Sequence, residues 1–475
     1  MNADASALSP ALFDAEVKTI AIDSRQTKAG DLFFALAQPD YKNNCLNGDF
    51  EDSHRFIPQA FEKGAIACVA RFDKFTEHNA ILEKFRTRLL FVEDGVLALQ
   101  NLAKGVYEEW NKPVVAITGS AGKTTAKELA AHVLRASGRS VLSNIKNYNN
   151  GLGHPLTVLR LLSEGAFDVA VLEMGMSTPE REIARLCRIT PPDVAVELNV
   201  LPVHLEYLGS IEAITEAKAE LVEGMKTGGT AILNADDARV SAMRSLSKGS
   251  TITYAIEADA DIKATNINFI RFGETRFTLK TLDGAAEAEL KLSGKHNVSN
   301  ALSAAAVGFC FEMSAQEIAN ALRTVEPPSQ RGEILHFRAG FTIINDSYNS
   351  NPDALLSMVE TLIDGSSGAK RKIVVAGEML ELGLREEEIH AETGKEIAKS
   401  GIDVLCGVRG LAKELIEGAK RAGLGEAMFF ESSEKAGEFL AREIRAGDLV
   451  LVKGSRGVRT EKVIEKLLEK FELEK

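Results

Sequence analysis

The sequence predicts an α/β protein made of three domains. Its 475 residues suggest roughly three domains at about 150 residues each. Short, unbroken apolar runs alternate with segments of helical periodicity, which is typical of parallel sheets whose strands are joined by right-handed helical crossovers. The proline-containing junctions Lys112-Pro113 and Pro327-Pro328 divide the chain, so we expect domains at residues 1–111, 112–327 and 328–475.

Composition excludes several classes of protein. Apolar residues make up 45% and charged residues 26% of the chain, which is ordinary for a globular protein and excludes a disordered or collagen-like one. The net charge of −12 disfavours a nucleic-acid partner. The five cysteines are far apart without a C-x-x-C pair, so we expect free thiols. The N-terminus lacks a secretory signal and no run of about 18 apolar residues occurs, so we predict a cytoplasmic protein with no membrane span.

The first block is expected to be a small α/β unit. Its predicted strands are short apolar runs, namely Thr19–Ile22, Leu32–Leu36, Ile66–Val69 and Leu89–Val92. A helical pattern covers Phe56–Lys63. The tract Gln38–Asp52 is polar and rich in Asn and Asp, so we interpret it as a loop.

The second block opens with the β-branched run Val114–Ile117, which is typical of a strand buried on both faces. A helical segment covers Thr124–Leu134, and Phe167–Leu172 and Val194–Val200 are further buried strands. An alternating, strand-rich stretch follows over residues 251–292, and then an Ala-rich helix over residues 297–309. This order predicts a parallel central sheet.

The third block is predicted to be a smaller, doubly wound sheet. Its strands are the apolar runs Phe341–Ile344, Lys372–Ala376, Val404–Cys406 and Leu449–Val452. Helical segments separate them. Open sheets of this kind bind ligands beyond the carboxyl ends of their strands.

A glycine-rich loop between a strand and a helix carries the strongest chemical signal. It comprises Gly119, Ser120, Ala121, Gly122, Lys123, Thr124 and Thr125. The glycines let backbone N–H groups approach phosphate oxygens at a helix N-terminus. Lys123 would meet the terminal phosphates, and the Thr124 hydroxyl is placed for Mg²⁺. The pattern predicts a P-loop that binds nucleotide phosphates.

Three further residues of the central block leave alternatives open. Glu173 ends a strand beside the P-loop strand, where it could hold Mg²⁺ or be a solvated strand-end acid. His204 could ligate a metal, although a lone histidine is more often structural. Lys218 lies in a helix, and its local sequence indicates an ordinary lysine on a solvated face.

Polar loops also follow strands of the second and third blocks. Asn297 and Asn300 could read a nucleobase edge, or Asn297 could simply cap the helix. The tract Asn345–Pro352 offers more hydrogen-bonding side chains than a turn with one cap, Asn351, requires. The loops 377–383 and 453–457 also follow strands of the third block, so these loops should lie at one edge of the sheet.

Taken with their order along the chain, these motifs resemble the Mur ligase family of ATP-dependent amide-forming enzymes of peptidoglycan precursor synthesis. The resemblance covers nearly the whole chain. Asp23-Ser24-Arg25 with residues 30–36 resembles the uridine-nucleotide domain, and the P-loop with Asn147–Asn150 resembles the central ATPase-type domain. The loop Asn345–Pro352 together with residues 377–383 resembles the branch that adds a dipeptide. A Rossmann-like C-terminal domain is implied.

The resemblance also implies roles for individual residues. Lys123, Lys218 and His204 would be catalytic, and Lys218 would be carbamylated and help to hold the second of two Mg²⁺ ions. The implied metal ligands are Thr124, Glu173, His204 and Lys218. The implied ATP-binding residues outside the P-loop are His296, Asn297, Asn300, Arg331 and Asp346. The implied substrate residues are Asp23, Ser24 and Arg25 for the UDP end, and Asn147, Asn149, Asn150, Tyr348, Asn349 and Asn351 for the muramyl-peptide and dipeptide.

The implied reaction joins D-alanyl-D-alanine to the terminal carboxylate of a UDP-muramyl-tripeptide, in a monomer that uses ATP. The alternatives are another muramyl-peptide ligase, a folyl-polyglutamate-type ligase, or a nucleotide-binding protein without amide chemistry. The ligases differ in the acceptor that should stimulate release of ADP, whereas a protein without amide chemistry should show no substrate-stimulated ATP hydrolysis.

Overall fold

The computed structural model describes residues 3–145, 147–176, 180–202, 208–327 and 329–474. The described strands form three separate sheets of four, nine and six strands. The α/β fold class is confirmed. Each sheet draws its strands from one of the three predicted blocks, while the boundaries at residues 111 and 327 stay a prediction.

The N-terminal sheet is parallel, with its strands in chain order. Its strands are β1 (Ile20–Ala21), β2 (Leu32–Phe34), β3 (Ala67–Arg71) and β4 (Leu89–Val92). The helices of this part are α1 (Gln38–Asn43), α2 (Ile57–Glu62), α3 (Phe72–Glu77), α4 (Asn79–Leu82) and α5 (Gly95–Trp110). The predicted strands are confirmed, each within a few residues of its expected bounds.

The prediction of a loop over Gln38–Asp52 is wrong at its start, where α1 forms. Asp40 is the reason. Its side chain is fully buried, accepts hydrogen bonds from the backbone N–H of Ala37 and Gly95, and pairs with Arg71 at 2.8 Å. The polar composition of this segment suggested a loop, but the buried Asp40 accepts a hydrogen bond at the start of α1 and stabilises its first turn.

The central sheet has the strand order β13-β12-β11-β10-β9-β8-β5-β7-β6. It is parallel from β6 to β11, and β12 and β13 extend it in antiparallel fashion. The strands are β5 (Val114–Thr118), β6 (Val141–Ser143), β7 (Val169–Glu173), β8 (Val194–Glu197), β9 (Thr230–Asn234), β10 (Ser250–Ala255), β11 (Ile262–Arg271), β12 (Glu274–Thr281) and β13 (Gly284–Leu290).

Helices cover both faces of the central sheet, which explains its unbroken apolar strands. They are α6 (Lys123–Ala136), α7 (Gly153–Leu159), α8 (Glu182–Ile189), α9 (Ile211–Glu223), α10 (Ala238–Ala242), α11 (Lys295–Cys310) and α12 (Ala315–Arg323). Val115 and Ile117 of β5 pack toward α6 and α11, whereas Ala116 packs in the cluster formed with α8 and α9. Strand β5 therefore has a neighbouring strand on each side and helices packed on both faces.

The N-terminal and central sheets share one apolar cluster. Leu32 and Phe34 of the first sheet belong to the same buried cluster as Val114 and Leu172 of the second, with α5 between them. The only tryptophan, Trp110, closes this region and donates its indole N–H to the carbonyl of Phe167 at 3.1 Å.

The C-terminal sheet is doubly wound, with strand order β14-β15-β19-β16-β17-β18. Only β14 is antiparallel to its neighbour. Its strands are β14 (Glu333–His336), β15 (Thr342–Asp346), β16 (Arg371–Gly377), β17 (Val404–Val408), β18 (Ala427–Phe430) and β19 (Asp448–Lys453). Its helices are α13 (Pro352–Asp364), α14 (Glu386–Lys399), α15 (Ala412–Arg421), α16 (Ser433–Glu443) and α17 (Glu461–Leu468).

In the described part of the chain, no helix has both the length and the apolar character that a membrane crossing requires. The cytoplasmic location stays a prediction.

The stability of the fold should fall in mild acid because of His154 in α7. This side chain is fully buried beside Thr190, and burial lowers its pKa to about 3. Below pH 6.5 the unfolded imidazole takes up a proton that the folded one does not, so protonation favours unfolding. We expect His154 to reduce the free energy of unfolding by about 2 kcal/mol between pH 6.5 and pH 5.

Urea unfolding followed by Trp110 fluorescence measures this effect, because Trp110 packs in the same apolar cluster as α7. His154→Gln should remove that part of the pH dependence. The exposed His336 provides the control, and His336→Gln should retain it. An unchanged pH dependence in His154→Gln would show that the buried imidazole does not govern acid stability.

Candidate functional site

The glycine-rich loop leaves the carboxyl end of β5 and enters α6. Gly119 and Gly122 have φ values of 155° and 83°. A Cβ at Gly119 would lie 2.8 Å from Cβ of Leu198, and one at Gly122 would lie 2.4 Å from Oδ1 of Asn300. Both positions therefore require glycine, for the backbone conformation as well as for the close approach.

Asn199, just after β8, holds the loop in shape. Its carbonyl accepts from the N–H of Ser120 at 2.9 Å, and its side-chain oxygen accepts from the N–H of Ala121 at 2.8 Å. Ser120 in turn donates its hydroxyl to the carbonyl of Leu201 at 3.1 Å. The loop conformation is thus set by a neighbouring strand as well as by its own glycines.

Lys123 is the first residue of α6, and its side chain folds along the loop. Its Nζ donates to the carbonyl oxygens of Gly119 at 2.7 Å and Ser120 at 3.2 Å. Burial lowers the pKa of Lys123; Glu173 counteracts this, and the nearby guanidinium of Arg331 adds to it. A cation therefore lies at a helix N-terminus, where anion binding is favoured.

Oxygen ligands converge beside the loop. The Thr124 hydroxyl donates to Oε2 of Glu173 at 2.7 Å, and the amide of Asn149 donates to Oε1 at 2.7 Å. Asn144, buried below them, accepts from the backbone N–H of Glu173 at 2.6 Å. Hydroxyl and carboxylate oxygens are the donors that Mg²⁺ takes from proteins, so this set fits that cation.

Lys218 does not lie on a solvated face, so the interpretation from local sequence was wrong. It projects from α9 toward the carboxyl end of β5, where it is 1% exposed and its Nζ lies 3.4 Å from Oγ1 of Thr118. Burial and the charge of Lys123 together lower its pKa to about 7, although Glu197, Glu173 and Glu182 oppose this shift. A neutral amine is therefore accessible near neutral pH.

Two other predicted regions of the central block have different outcomes. His204 lies outside the described residues. Asn297 does not cap its helix: α11 begins at Lys295 after Gly294, and the Asn297 amide donates to the carbonyl of Ser293 at 2.8 Å. Asn300 lies directly against Gly122, so the N-terminal turns of α11 meet the P-loop.

Three strand-end loops of the C-terminal sheet meet at one edge, as predicted. The backbone N–H of Leu380 donates to Oγ of Ser455 at 3.0 Å, and that hydroxyl donates to the carbonyl of Ser350 at 3.2 Å. Asp346 pairs with the buried Lys453 at 2.5 Å, and Lys453 also donates to the carbonyl of Asn349 at 2.9 Å. The aspartate is therefore already fixed by a cation of its own sheet.

Arginines line the same edge. The ring of Tyr348 has the guanidinium of Arg331 at 4.1 Å and that of Arg456 at 5.8 Å. Asn351 caps α13 through its side-chain oxygen, which accepts from the N–H of Ala354 at 2.8 Å. The nearby helix α13 also contacts the central block, since Oγ of Ser357 lies 3.1 Å from Nδ1 of His296. Burial lowers the pKa of His296 to about 4.

The residues predicted for the UDP end are ordered by local contacts. Asp23 and Arg25 form a bidentate pair at 2.9 and 2.8 Å, and the Arg25 side chain is 81% exposed. Ser24 donates to Oε1 of Gln59 at 2.7 Å. In the central block Asn147 is exposed, and Asn150 accepts from the N–H of Gly153 at the start of α7.

Sequence reasoning did not single out Asn144, Glu182 or Glu197, and it included Lys453 only as the first residue of the loop 453–457. Glu197 had a signal: it is the one charged residue inside the run Val194–Val200, which was interpreted as a buried strand. For Asn144 the local sequence carries no comparable signal, because its importance depends on a contact with a distant strand.

The site combines a phosphate-binding loop with the oxygen ligands of Thr124 and Glu173, and Arg331 approaches it from the C-terminal part of the chain. These features define a P-loop enzyme that acts on a nucleotide. Comparison with known proteins defines it further. Residues 117–308 match the Mur ligase middle domain, and residues 330–456 match the Mur ligase, glutamate ligase domain. The chain belongs to the Mur ligase family, and it is an ATP-dependent amide ligase.

The similarity extends over whole chains. The chain is 33% identical over 455 residues to UDP-N-acetylmuramoyl-tripeptide–D-alanyl-D-alanine ligase of Bacillus subtilis strain 168, covering 95% of this chain and 93% of that protein. A crystal structure of MurF from Acinetobacter baumannii aligns with a TM-score of 0.82 at 27% identity, covering 96% and 94%. MurF ligase from Thermotoga maritima in complex with ADP aligns with a TM-score of 0.80 at 27% identity, covering 96% and 98%.

Proposed function

We propose that this protein joins D-alanyl-D-alanine to the terminal carboxylate of a UDP-N-acetylmuramoyl-tripeptide at the expense of ATP. The observation that carries the proposal is the pairing of Thr124 with Glu173 beside the P-loop, in a chain similar over nearly its full length to ligases named for this reaction. The loop supplies a place for the triphosphate, and the C-terminal edge supplies a place for the acceptor.

The chemistry begins with a poor electrophile. A carboxylate oxygen of the tripeptide attacks the γ-phosphorus of ATP, and the bond to the β-phosphate oxygen breaks to release ADP. The amine of the dipeptide then attacks the acyl carbon and loses a proton, and phosphate leaves as the amide forms. Catalysis of such steps rests mainly on positioning and on charge stabilisation.

The residues of this chain divide that work. Lys123 neutralises charge on the transferred phosphoryl group from the α6 N-terminus. Arg331, which approaches Lys123 from the C-terminal part, adds a second cation on the same side. Thr124 and Glu173 would hold Mg²⁺, which supplies electrostatic stabilisation of the phosphate oxygens. Asn149 fixes the Glu173 carboxylate in the orientation that this requires.

Lys218 would hold a second Mg²⁺ after carbamylation, together with His204. In that modification the neutral amine nitrogen bonds to the carbon of CO₂ and gives up one proton, which leaves an anionic carbamate. The burial of Lys218 and its lowered pKa support this assignment, because the neutral amine is the reactive form.

The remaining assignments follow the placement of the residues. We assign Asn297, Asn300 and His296 to the adenine side, because α11 begins beside Gly122 of the P-loop. We assign Asp346 to the ATP side and Tyr348, Asn349 and Asn351 to the acceptor side, at the shared edge of the C-terminal sheet. We assign Asn147, Asn149 and Asn150 to the muramyl-peptide, and Asp23, Ser24 and Arg25 to the UDP end.

The acceptor decides among the candidate reactions. With UDP-muramyl-tripeptide, ATP and Mg²⁺, we expect D-alanyl-D-alanine to stimulate ADP release and to yield a pentapeptide product by mass spectrometry. Single amino acids, including glutamate, are the matched controls and should give neither. Preference for a single amino acid would favour another muramyl-peptide or folyl-polyglutamate-type ligase. Absence of any substrate-stimulated ATP hydrolysis would contradict amide chemistry.

A further inference from the structure

Glu197 is a buried carboxylic acid that the proposed reaction leaves without a role. It is the last residue of β8, and its exposed fraction is 0%. Among the described residues, neither of its carboxylate oxygens has a hydrogen-bond partner. A buried polar group without a partner destabilises the folded state, whereas an aliphatic side chain at this strand position would not. A bound ion is one of the reasons for which such a group is kept.

The strand register places Glu197 beside the P-loop and Lys218. β8 is the neighbour of β5 on the side opposite β7, and Glu197 lies directly across from Thr118. Paired residues of adjacent strands point to the same face of a sheet. Thr118 is also the residue whose hydroxyl Lys218 approaches at 3.4 Å. Thr118, Glu197 and Lys218 therefore meet on one face at the carboxyl edge of the sheet.

The charges around this point favour a cation. Glu197, Glu173 and Glu182 all act on Lys218 from different elements, and Lys123 is the opposing cation. Burial raises the pKa of Glu197 well above its usual value, although Lys218 and Lys123 oppose that rise. If Lys218 carries a carbamate, the cluster changes from two cations to one and gains a fourth anionic group. A divalent cation would then neutralise the negative charge that Lys123 alone leaves uncompensated.

We propose that the Glu197 carboxylate is an oxygen ligand of the second divalent cation, next to carbamylated Lys218. The inference rests on the proposed second cation site and adds a ligand to it. It explains why a strand that is otherwise apolar ends in an unpartnered acid, and why that acid faces the same side of the sheet as Lys218. Carboxylate oxygens are the preferred protein ligands of Mg²⁺ and Mn²⁺.

Mn²⁺ binding to the full chain tests the proposal by electron paramagnetic resonance, in bicarbonate and saturating ADP. The parent should bind two Mn²⁺ ions per chain. Glu197→Gln preserves the shape of the uncharged acid and should weaken one of the two sites about tenfold or more. The matched control is Asp193→Asn, since Asp193 precedes the same strand at the opposite edge and pairs with Lys226. It should retain both sites.

Each outcome decides a different point. Two sites of unchanged affinity in Glu197→Gln would overturn the role of Glu197 and leave the ligase proposal intact. A parent that binds only one Mn²⁺, together with ADP, would overturn the second site and the role of Glu197 with it. Absence of any ADP-dependent Mn²⁺ binding would also contradict the assignment of Thr124 and Glu173.

A measurement on the parent avoids any dependence on the folding of the variant. Anomalous scattering from crystals of the parent grown with Mn²⁺ and ADP should show a peak about 2.1 Å from a Glu197 carboxylate oxygen. A second Mn²⁺ peak near Lys218 that lies out of contact with Glu197 would overturn the proposal.

Discussion

Replacing Lys123 with alanine should reduce kcat for ligation by about 10³-fold or more while the fold is retained. The expected loss is large because we propose that Lys123 neutralises charge on the transferred phosphoryl group, and charge stabilisation is the main source of catalysis in such a step. Its Nζ donates to the loop carbonyls of Gly119 and Ser120, and the apolar cluster around α6 does not include Lys123. No apolar packing in α6 depends on it, so the unfolding midpoint should change little.

The measurement is product formation from UDP-muramyl-tripeptide and D-alanyl-D-alanine, with thermal unfolding recorded in parallel. Lys112→Ala is the matched control, since Lys112 is a partly exposed lysine just before the opposite end of β5, paired with Asp168 at 3.6 Å. It should retain parental turnover. Ligation by Lys123→Ala within tenfold of the parent rate would exclude the P-loop role of this lysine.

The strands and the P-loop could be predicted because their signals are local. Val114–Ile117 is an unbroken β-branched run, and the Gly-Lys-Thr-Thr sequence follows it directly. The edge shared by the third-block loops was predictable for a related reason, since each loop follows an apolar strand and parallel strands end at a common edge. None of these inferences required knowledge of distant contacts.

The chemistry on the other side of β5 could not be predicted in this way. The burial of Lys218 depends on how α9 packs against β5 and β8, and the sequence Ala-Lys-Ala-Glu around it is equally compatible with a solvated face. Likewise, the position of Glu197 across from Thr118 depends on strand order, in which β8 and β7 flank β5. Asp40 shows the same limitation, because the partners that bury it are residues 71 and 95.

Lys218→Ala should reduce ligation by on the order of 10²–10³-fold, and short carboxylates such as formate or acetate should restore part of the rate. Truncation would remove the proposed carbamate and leave a small buried space beside Thr118 at the edge of the sheet. A small carboxylate can enter that space and supply the missing anion. Chloride at the same ionic strength should restore nothing.

Labelling with ¹³C-bicarbonate separates this mechanism from a purely structural loss. The parent should show a carbamate carbon resonance that Lys218→Ala lacks. Lys226→Ala is the matched control, because Lys226 follows the same helix but pairs with Asp193 at the opposite edge of the sheet. It should retain both the resonance and the turnover.

The pH dependence of the label gives the sharpest discrimination. Because burial lowers the pKa of Lys218 to about 7, half of the amine is neutral near that pH, and the rate of carbamate formation should rise from pH 6 to pH 8 and then level off. An ordinary exposed lysine would continue to gain neutral amine up to a pH of about 10.4. A rate that keeps rising above pH 9, or full activity of Lys218→Ala without added carboxylate, would show that the buried amine is structural and that the second cation needs another anion.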